Sequence, residues 1–485
     1  MTAVQRLLFV ASEAYPLIKT GGLADVAGSL PEVLRQQGLD VCLLVPAYAD
    51  LLHGLESPPD LIAELALGSD TVRILQCYLP GTLLRTWLLE HRLFSARAGN
   101  PYHDDNGDPW PDNADRFMLL SRAAAVISTC DTALAWRPDI LHCNDWHSGP
   151  AIALTHLEQP RPRTVFTIHN LAHMGIFDRQ TFERLQFPAH LWQEQGLEYY
   201  GQCSFIKAGL VFADEITTVS PSYASEICES PGGMGLEGLL SQRRDHLTGI
   251  LNGIDSKTWD PANDPHIVKT YNADNLDAKA VNKSALQQQL GLPPQQDCPL
   301  LGFVGRLVEQ KGLELILPVI EQLLDTPAQI VILGRGELRY EDALRALASQ
   351  RSDALSVVLD YDETLAHRIE AAADIFLMPS LFEPCGLNQL YSLRYGTVPV
   401  VRSVGGLADT VRDASGQALS EGVATGFVFI QPQPRDFLDA AQRAITLWRE
   451  QAAWQAVQRT AMAQDFSWQR SAERYLELYR SSIDY

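Results

Sequence analysis

Gly21-Gly22-Leu23-Ala24-Asp25 and Gly405-Gly406-Leu407-Ala408-Asp409 are one pentapeptide used twice, each copy lying between an apolar, β-branched run and an amphipathic helical pattern. A five-residue string seldom recurs by chance in a chain of 485 residues. Both copies stand where a strand hands over to a helix, the junction at which doubly wound α/β domains bind phosphates. The pairing predicts two α/β halves facing one cleft.

Outward from the first copy, Leu7–Val10, Val41–Val45, Ile140–Cys143, Thr164–Ile168 and Ile216–Val219 are short apolar runs separated by helical patterns, the first of them from about Asp25 to Gln36. Outward from the second, Leu300–Val304, Gln329–Leu333, Leu355–Leu359, Ile375–Met378 and Val398–Val401 repeat the arrangement. Strands alternating with helices give parallel sheets. The expected division is residues 1–250 and 251–464, with a linker from Trp259 to about Leu276. A closing helix over about 465–485 is expected to pack back on the first half through Trp468, Ala472, Tyr475, Leu476 and Tyr479. The stretch from about Asp50 to Asp115, rich in Pro, Gly and Asp, reads as irregular insertions.

Composition narrows the function. A chain this long calls for two or three domains, and 46% hydrophobic with 20% charged residues is the make-up of a folded protein. A net charge of -21 repels nucleic acid and anionic lipid but not a neutral polymer. No apolar run is long enough to span a bilayer. The eight cysteines include no C-x-x-C pair and lie scattered in apolar segments, which favours a reduced, cytoplasmic setting. Leu7–Val10 is too short for a secretory signal core, and the N-terminus lacks the Arg- and Ser-rich look of a transit peptide.

Polar residues that follow apolar strands are the candidates for chemistry. Lys19 precedes Gly21-Gly22, where glycines let the backbone approach an anion and a helix start directs amides at it; an ordinary turn would use the same glycines. Arg306 and Lys311 both follow the strand Leu300–Val304, and Glu309-Gln310-Lys311-Gly312 is read as opening a helix, so that two cations share one helix N-terminus. Cations there oppose the helix dipole unless an anion such as a diphosphate completes the site. Glu383 lies between Phe382 and Pro384 after the strand Ile375–Met378, with a turn or capping role as the alternative. His142, Asp145, His147 and His169 stand at the carboxyl ends of the strands Ile140–Cys143 and Thr164–Ile168.

Other patterns are discounted. No H-E-x-x-H or cysteine pairing supports a metal at His142, His147, His169 and His173. The run Asp104-Asp105-Asn106-Gly107-Asp108-Pro109 has Pro109 in place of the glycine of a calcium loop and Asp115 in place of its glutamate. Leu333-Gly334-Arg335-Gly336 has Arg339 at the third glycine of a dinucleotide fingerprint.

Taken together, Lys19–Val26, Thr167-Ile168-His169-Asn170-Leu171-Ala172, Asn252-Gly253-Ile254-Asp255, Arg306 with Lys311, and Glu383-Pro384-Cys385-Gly386-Leu387 closely resemble the bacterial glycogen synthase and starch synthase family, GT5. The match runs from the first strand to the last helix. The resemblance implies the GT-B fold, two Rossmann-like domains around a deep cleft, and transfer of glucose from ADP-glucose to the nonreducing end of an α-1,4-glucan such as glycogen, with retention and with no metal or organic cofactor. UDP-glucose as donor, another acceptor, or a catalytically silent glucan-binding protein are the alternatives.

By the same resemblance, Arg306 and Lys311 hold the diphosphate, Glu383 binds hydroxyls of the transferred glucose and His169 helps to stabilise the oxocarbenium ion. Lys19, Gly22, Asp25, Tyr102, Asp145 and Asn252 are implied substrate contacts. Tyr361 stacks on adenine, and Cys385, Gly386 and Leu387 offer backbone amides. Where family members commonly read Tyr-Gln after His-Asn-Leu-Ala, this chain has His173-Met174.

Overall fold

The computed structural model describes residues 5–104 and 107–481. Asp105 and Asn106 of the calcium-like run and residues 482–485 of the expected closing helix lie outside them. The chain forms two units, one comprising the residues up to Gly253 together with those from Trp468 onward, the other Ile254–Ser467.

The first unit is built on a nine-stranded sheet. From one edge its strands are Leu247–Gly249, Glu215–Thr218, Arg163–Ile168, Ile140–Asn144, Arg6–Val10, Asp40–Pro46, Arg85–Glu90, Asp70–Tyr78 and Asp60–Leu67. The first seven run parallel, and the last two extend the sheet antiparallel. Ile140–Asn144 is buried throughout, as a parallel strand covered by helices on both faces must be.

The antiparallel extension corrects the expectation of irregular insertions over 50–115. Asp60–Leu67 alternates exposed and buried residues, with Ala63, Leu65 and Leu67 facing inward. That period of two marks a strand with one wet face, and the Pro and Gly around it sit in the turns.

The second unit carries a six-stranded, wholly parallel sheet. Its order is Leu355–Val358, Gln329–Leu333, Leu300–Val304, Ile375–Met378, Val398–Arg402 and Phe427–Phe429. Two strands are laid to one side of the first and the rest to the other, the doubly wound arrangement with a switch point beside Leu300–Val304. The segment Trp259–Leu276, expected as a linker, is part of this unit's core. Trp259 stacks on His367 at 3.7 Å and on Tyr391 at 3.8 Å, and Ile267, Tyr271 and Leu276 are buried beside them. No helix among the described residues is long and apolar enough to cross a membrane, and no disulfide joins any of the eight cysteines.

The helix Trp468–Ser481 packs against Gly22–Gln36 and closes the first unit. Its Tyr479 hydroxyl lies 2.7 Å from Nδ1 of buried His142, whose Nε2 lies 2.6 Å from Thr167 Oγ1, which in turn meets Thr217 Oγ1 at 2.6 Å. Burial lowers the His142 pKa to about 3 and keeps the ring neutral. Removing one partner from such a chain leaves a buried polar atom unsatisfied. Tyr479→Phe is therefore expected to destabilise the protein by about 1–3 kcal/mol, measured by urea unfolding at neutral pH.

Candidate functional site

In the first unit the polar residues gather at the carboxyl ends of the parallel strands. Just past Arg6–Val10, Glu13 is buried, and its Oε2 accepts from both the amide and the hydroxyl of Thr20, each at 2.5 Å. These bonds tie down the segment between Lys19 and Gly22, where the first helix starts. Lys19 Nζ donates to Asp25 Oδ1 at 2.8 Å, across that helix start. The Tyr102 hydroxyl meets Ser12 Oγ at 2.7 Å, which brings an aromatic ring from the irregular stretch beside Glu13.

Asp145 follows Ile140–Asn144 and takes a left-handed φ of 56°, an uncommon conformation for a residue with a side chain. Among the bonds that hold it, its own amide donates to the Thr167 carbonyl at 2.9 Å, and its Oδ1 accepts from the His169 amide at 2.8 Å. The neighbouring Asn144 donates through Nδ2 to the Val10 carbonyl at 3.0 Å, so its Oδ1 is left as acceptor for His169 Nε2 at 2.9 Å. That fixes the His169 tautomer with the proton on Nε2.

Burial raises both carboxyls, Glu13 and Asp145, to about 7, against the opposing pull of the bonds they accept, and like charge between them adds to the rise at Asp145. The same lack of water lowers His169 to about 3. The site thus holds a neutral imidazole next to carboxyls poised near neutrality.

In the second unit, Lys311 Nζ donates to Glu383 Oε2 at 2.6 Å, and Ser380 Oγ donates to the same oxygen at 2.9 Å. Glu383 is buried and Lys311 half-buried. Arg306 is exposed, with Nη2 3.5 Å from Gln310 Oε1. The expected helix opening at Glu309 is corrected. Glu309–Lys311 is a single 3-10 turn ended by Gly312 at φ 77°, and Leu313–Ile316 and Ile320–Asp325 are short helices separated by another 3-10 turn at Leu317–Val319. The cations therefore stand on a loop, and Lys311 is balanced by Glu383 rather than set against a helix dipole.

The second Gly-Gly-Leu-Ala-Asp copy supports this loop. A Cβ on Gly405, at φ 44°, would lie 2.0 Å from the Glu383 carbonyl, and one on Gly406 would lie 2.0 Å from that of Cys385. The Gly406 amide donates to the Glu383 and Pro384 carbonyls, each at 3.1 Å, and so is spent inside the protein. Gly334 and Gly336 likewise admit the backbone of Gly305 and Leu307, where a Cβ would come within 1.9 and 2.1 Å of the carbonyls. They serve close packing, not a dinucleotide.

Beyond Glu383, Gly386 takes φ 73° and Leu387 is the residue from which the helix Asn388–Tyr395 starts, so the segment Cys385–Leu387 leads into a helix N-terminus. Tyr361 is not drawn into this cluster; its ring is 72% exposed beyond the strand Leu355–Val358. In the first unit Asn252 is buried, and its Oδ1 has no hydrogen-bond partner among the described residues. No cluster of three or more His, Cys, Asp or Glu residues among the described ones could hold a metal ion.

Glu13, Asn144 and Ser380 were not singled out from the sequence. Glu13 shares with Glu383 a place a few residues past an apolar strand, but not the flanking Phe and Pro that marked Glu383. Asn144 and Ser380 act through the orientation they impose on neighbours, which a linear reading does not show.

Residues 6–242 match the family described as starch synthase catalytic domain, and residues 286–460 that described as glycosyl transferases group 1. Glycogen synthase 1 of Methylococcus capsulatus is 51% identical over 478 residues, covering 99% of this chain and 97% of that protein. Glycogen synthase of Cellvibrio japonicus is 51% identical over 478 residues, covering 98% of each. Among solved structures, the catalytic domain of starch synthase IV from Arabidopsis thaliana, bound to ADP and acarbose, matches all of both chains with a TM-score of 0.88 at 30% identity. Sucrose-phosphate synthase from Thermosynechococcus elongatus shares the fold, with a TM-score of 0.60 at 18% identity.

Two doubly wound units with these neighbours define a GT-B glycosyltransferase. Within that class, the chain belongs to the glycogen synthase and starch synthase family.

Because Gly405 needs both a left-handed φ and the absence of a Cβ, Gly405→Ala is expected to cost about 2–4 kcal/mol and to displace Glu383. Thermal unfolding and turnover measured together check this, with both lowered.

Proposed function

We propose that the protein transfers glucose from ADP-glucose to the nonreducing end of an α-1,4-glucan with retention, as a cytoplasmic glycogen synthase. The observation that carries the reading is the Lys311–Glu383 pair beside Arg306, a cation and a carboxylate held together at the switch point of the second unit's sheet. The structural neighbour bound to ADP supports a nucleotide diphosphate as ligand.

Cleaving the bond between glucose and a diphosphate puts negative charge on the leaving group and positive charge on the sugar. Arg306 and Lys311 take the first, with Lys19 assisting from the first unit. Glu383 accepts from hydroxyls of the glucose while its other bonds, from Lys311 and Ser380, keep its carboxylate oriented. His169, neutral and with its tautomer fixed by Asn144, contacts the same sugar. Asp145 supplies negative charge toward the developing oxocarbenium ion. Tyr361 offers the exposed face on which adenine stacks. Asp25, Gly22, Tyr102, Asn252 and the Cys385–Leu387 amides complete the contacts to donor and acceptor.

Preorganised charge of this kind contributes roughly 3–4 kcal/mol per group. Lys311→Ala and Arg306→Ala are therefore expected to lower kcat by at least about 10²-fold in proteins that keep the wild-type circular dichroism. ADP release and glucan growth on glycogen, with ADP-glucose and UDP-glucose compared, provide the test. Growth with neither donor sinks the reading in favour of a binding protein, and near-normal turnover in either variant removes that residue from the site.

The acid limb of the rate profile follows from the carboxyls. A carboxyl raised to about 7 is ionised above that pH and loses its charge below it, whereas His169, lowered to about 3, stays neutral from pH 5 upward. We expect kcat/KM to fall as pH drops through about 7, with Glu13 and Asp145 titrating together. A profile that is flat between pH 5 and 8 refutes this assignment.

A further inference from the structure

Among the described residues, Ala135, Asp145, Gln186, Tyr200 and Met234 carry positive φ without being glycine. Asp145 belongs to the site already described. Tyr200, at φ 47°, and Met234, at φ 50°, stand on two turns that meet. The Tyr199 hydroxyl donates to the Met234 carbonyl at 2.6 Å, and a Cβ on Gly235 would lie 3.0 Å from the Tyr200 ring and 3.1 Å from the Tyr199 hydroxyl. Each strained residue is followed by a left-handed glycine, Gly201 at φ 80° and Gly235 at φ 83°.

Bulky residues avoid this conformation, and two such turns bonded to each other persist only where the surroundings enforce them, as strained positions at functional sites do. What the strain holds outward is apolar. Tyr200 is 78% exposed and Met234 38%, and the Tyr199 ring meets that of Tyr200 edge-on at 4.8 Å.

The place of these turns ties them to the site. Glu198–Tyr199 and Gln202–Ser204 pair antiparallel, and the latter pairs with Ile176–Phe177. The Phe205 and Ile206 amides donate to the Gly175 and Met174 carbonyls at 2.9 and 3.0 Å. This small sheet therefore grows directly from the loop that carries His169, and the segment from His169 to Ile176 spans at most about 25 Å. Met174 belongs to the His173-Met174 departure from the family pattern, so the departure lies at the root of this sheet.

We infer that Tyr200, with Tyr199 and Met234, forms a platform that binds an α-1,4-glucan chain at a distance from the reacting end. Aromatic faces and a thioether fit the C–H faces of successive pyranose rings, and Glu198 and Glu237, whose carboxylates accept from the Gly201 and Gly235 amides, border the platform with Gln202. Those carboxylates and the net charge of -21 favour a neutral polymer over an anionic one. The inference rests on the proposed glucan acceptor.

The test uses Tyr200→Asn, which removes the ring but suits a left-handed backbone, and Tyr200→Trp, which keeps an aromatic face. For Tyr200→Asn the KM for glycogen is expected to rise about fivefold or more, with kcat, the KM for ADP-glucose and the kinetics on maltotriose within about twofold of wild type. Tyr200→Trp retains the wild-type KM for glycogen. An unchanged glycogen KM in Tyr200→Asn overturns the platform, as does an equal loss on maltotriose and glycogen. A change of mass in light scattering with the glycogen KM unchanged points to a second copy of the chain as occupant and also overturns it. Should the wild-type protein release no ADP on either acceptor, the reading of the function fails by itself; retardation in glycogen-containing gels, lost in Tyr200→Asn, then still decides the platform.

Discussion

A parallel strand delivers its carboxyl end to the same edge of the sheet as its neighbours, because every crossover returns the chain to the far side before the next strand begins. That constraint assembles this protein's chemistry. Glu13, Asp145 and His169 hang from consecutive positions along one such edge in the first unit, and Arg306, Lys311 and Glu383 from another in the second. Residues more than 150 positions apart in sequence, Glu13 and His169 among them, are brought into one electrostatic environment with no local signal that joins them.

The second determinant is the scarcity of water at those edges. Burial drives the carboxyls of Glu13 and Asp145 up and the ring of His169 down, so each is biased toward its neutral form. Lys311 and Glu383 meet the same difficulty in another way, each supplying the other's counter-charge. In the proposed reaction a diphosphate and a sugar would compete for these two groups, and the pair would exchange one set of charge-assisted bonds for another without being left bare. The glycines of the second Gly-Gly-Leu-Ala-Asp copy belong to the same arrangement, since they let the loop bearing Glu383 lie directly on the backbone that opens the helix Gly405–Thr410.

Much of this was legible in the sequence because parallel strands are apolar along their whole length and glycines mark the turns that follow them. The runs at Leu300–Val304, Gln329–Leu333 and Ile375–Met378 coincide with strands residue for residue. What the chain hides is long-range. The antiparallel extension over 60–90 was masked by surrounding turns, and Trp259–Leu276 read as a linker because its partners, His367 and Tyr391, lie more than a hundred residues away. The two Gly-Gly-Leu-Ala-Asp copies both open a helix, yet the first does so beside the Lys19–Asp25 pair while the glycines of the second lie against the carbonyls of Glu383 and Cys385. The tautomer of His169, set by Asn144 through the Val10 carbonyl, has no counterpart in any local pattern.

The helix Trp468–Ser481 belongs to the first unit, yet the whole of the second unit is encoded before it. At ordinary rates of synthesis the ribosome spends roughly 10–40 s on that interval. Throughout it, the seam that Trp468, Tyr475 and Tyr479 will cover is open, and the polar chain at His142 ends without its last hydroxyl. The second unit, contiguous in sequence, emerges complete while the first still waits for its closing piece. The unit that begins second is thus the first whose sequence is complete.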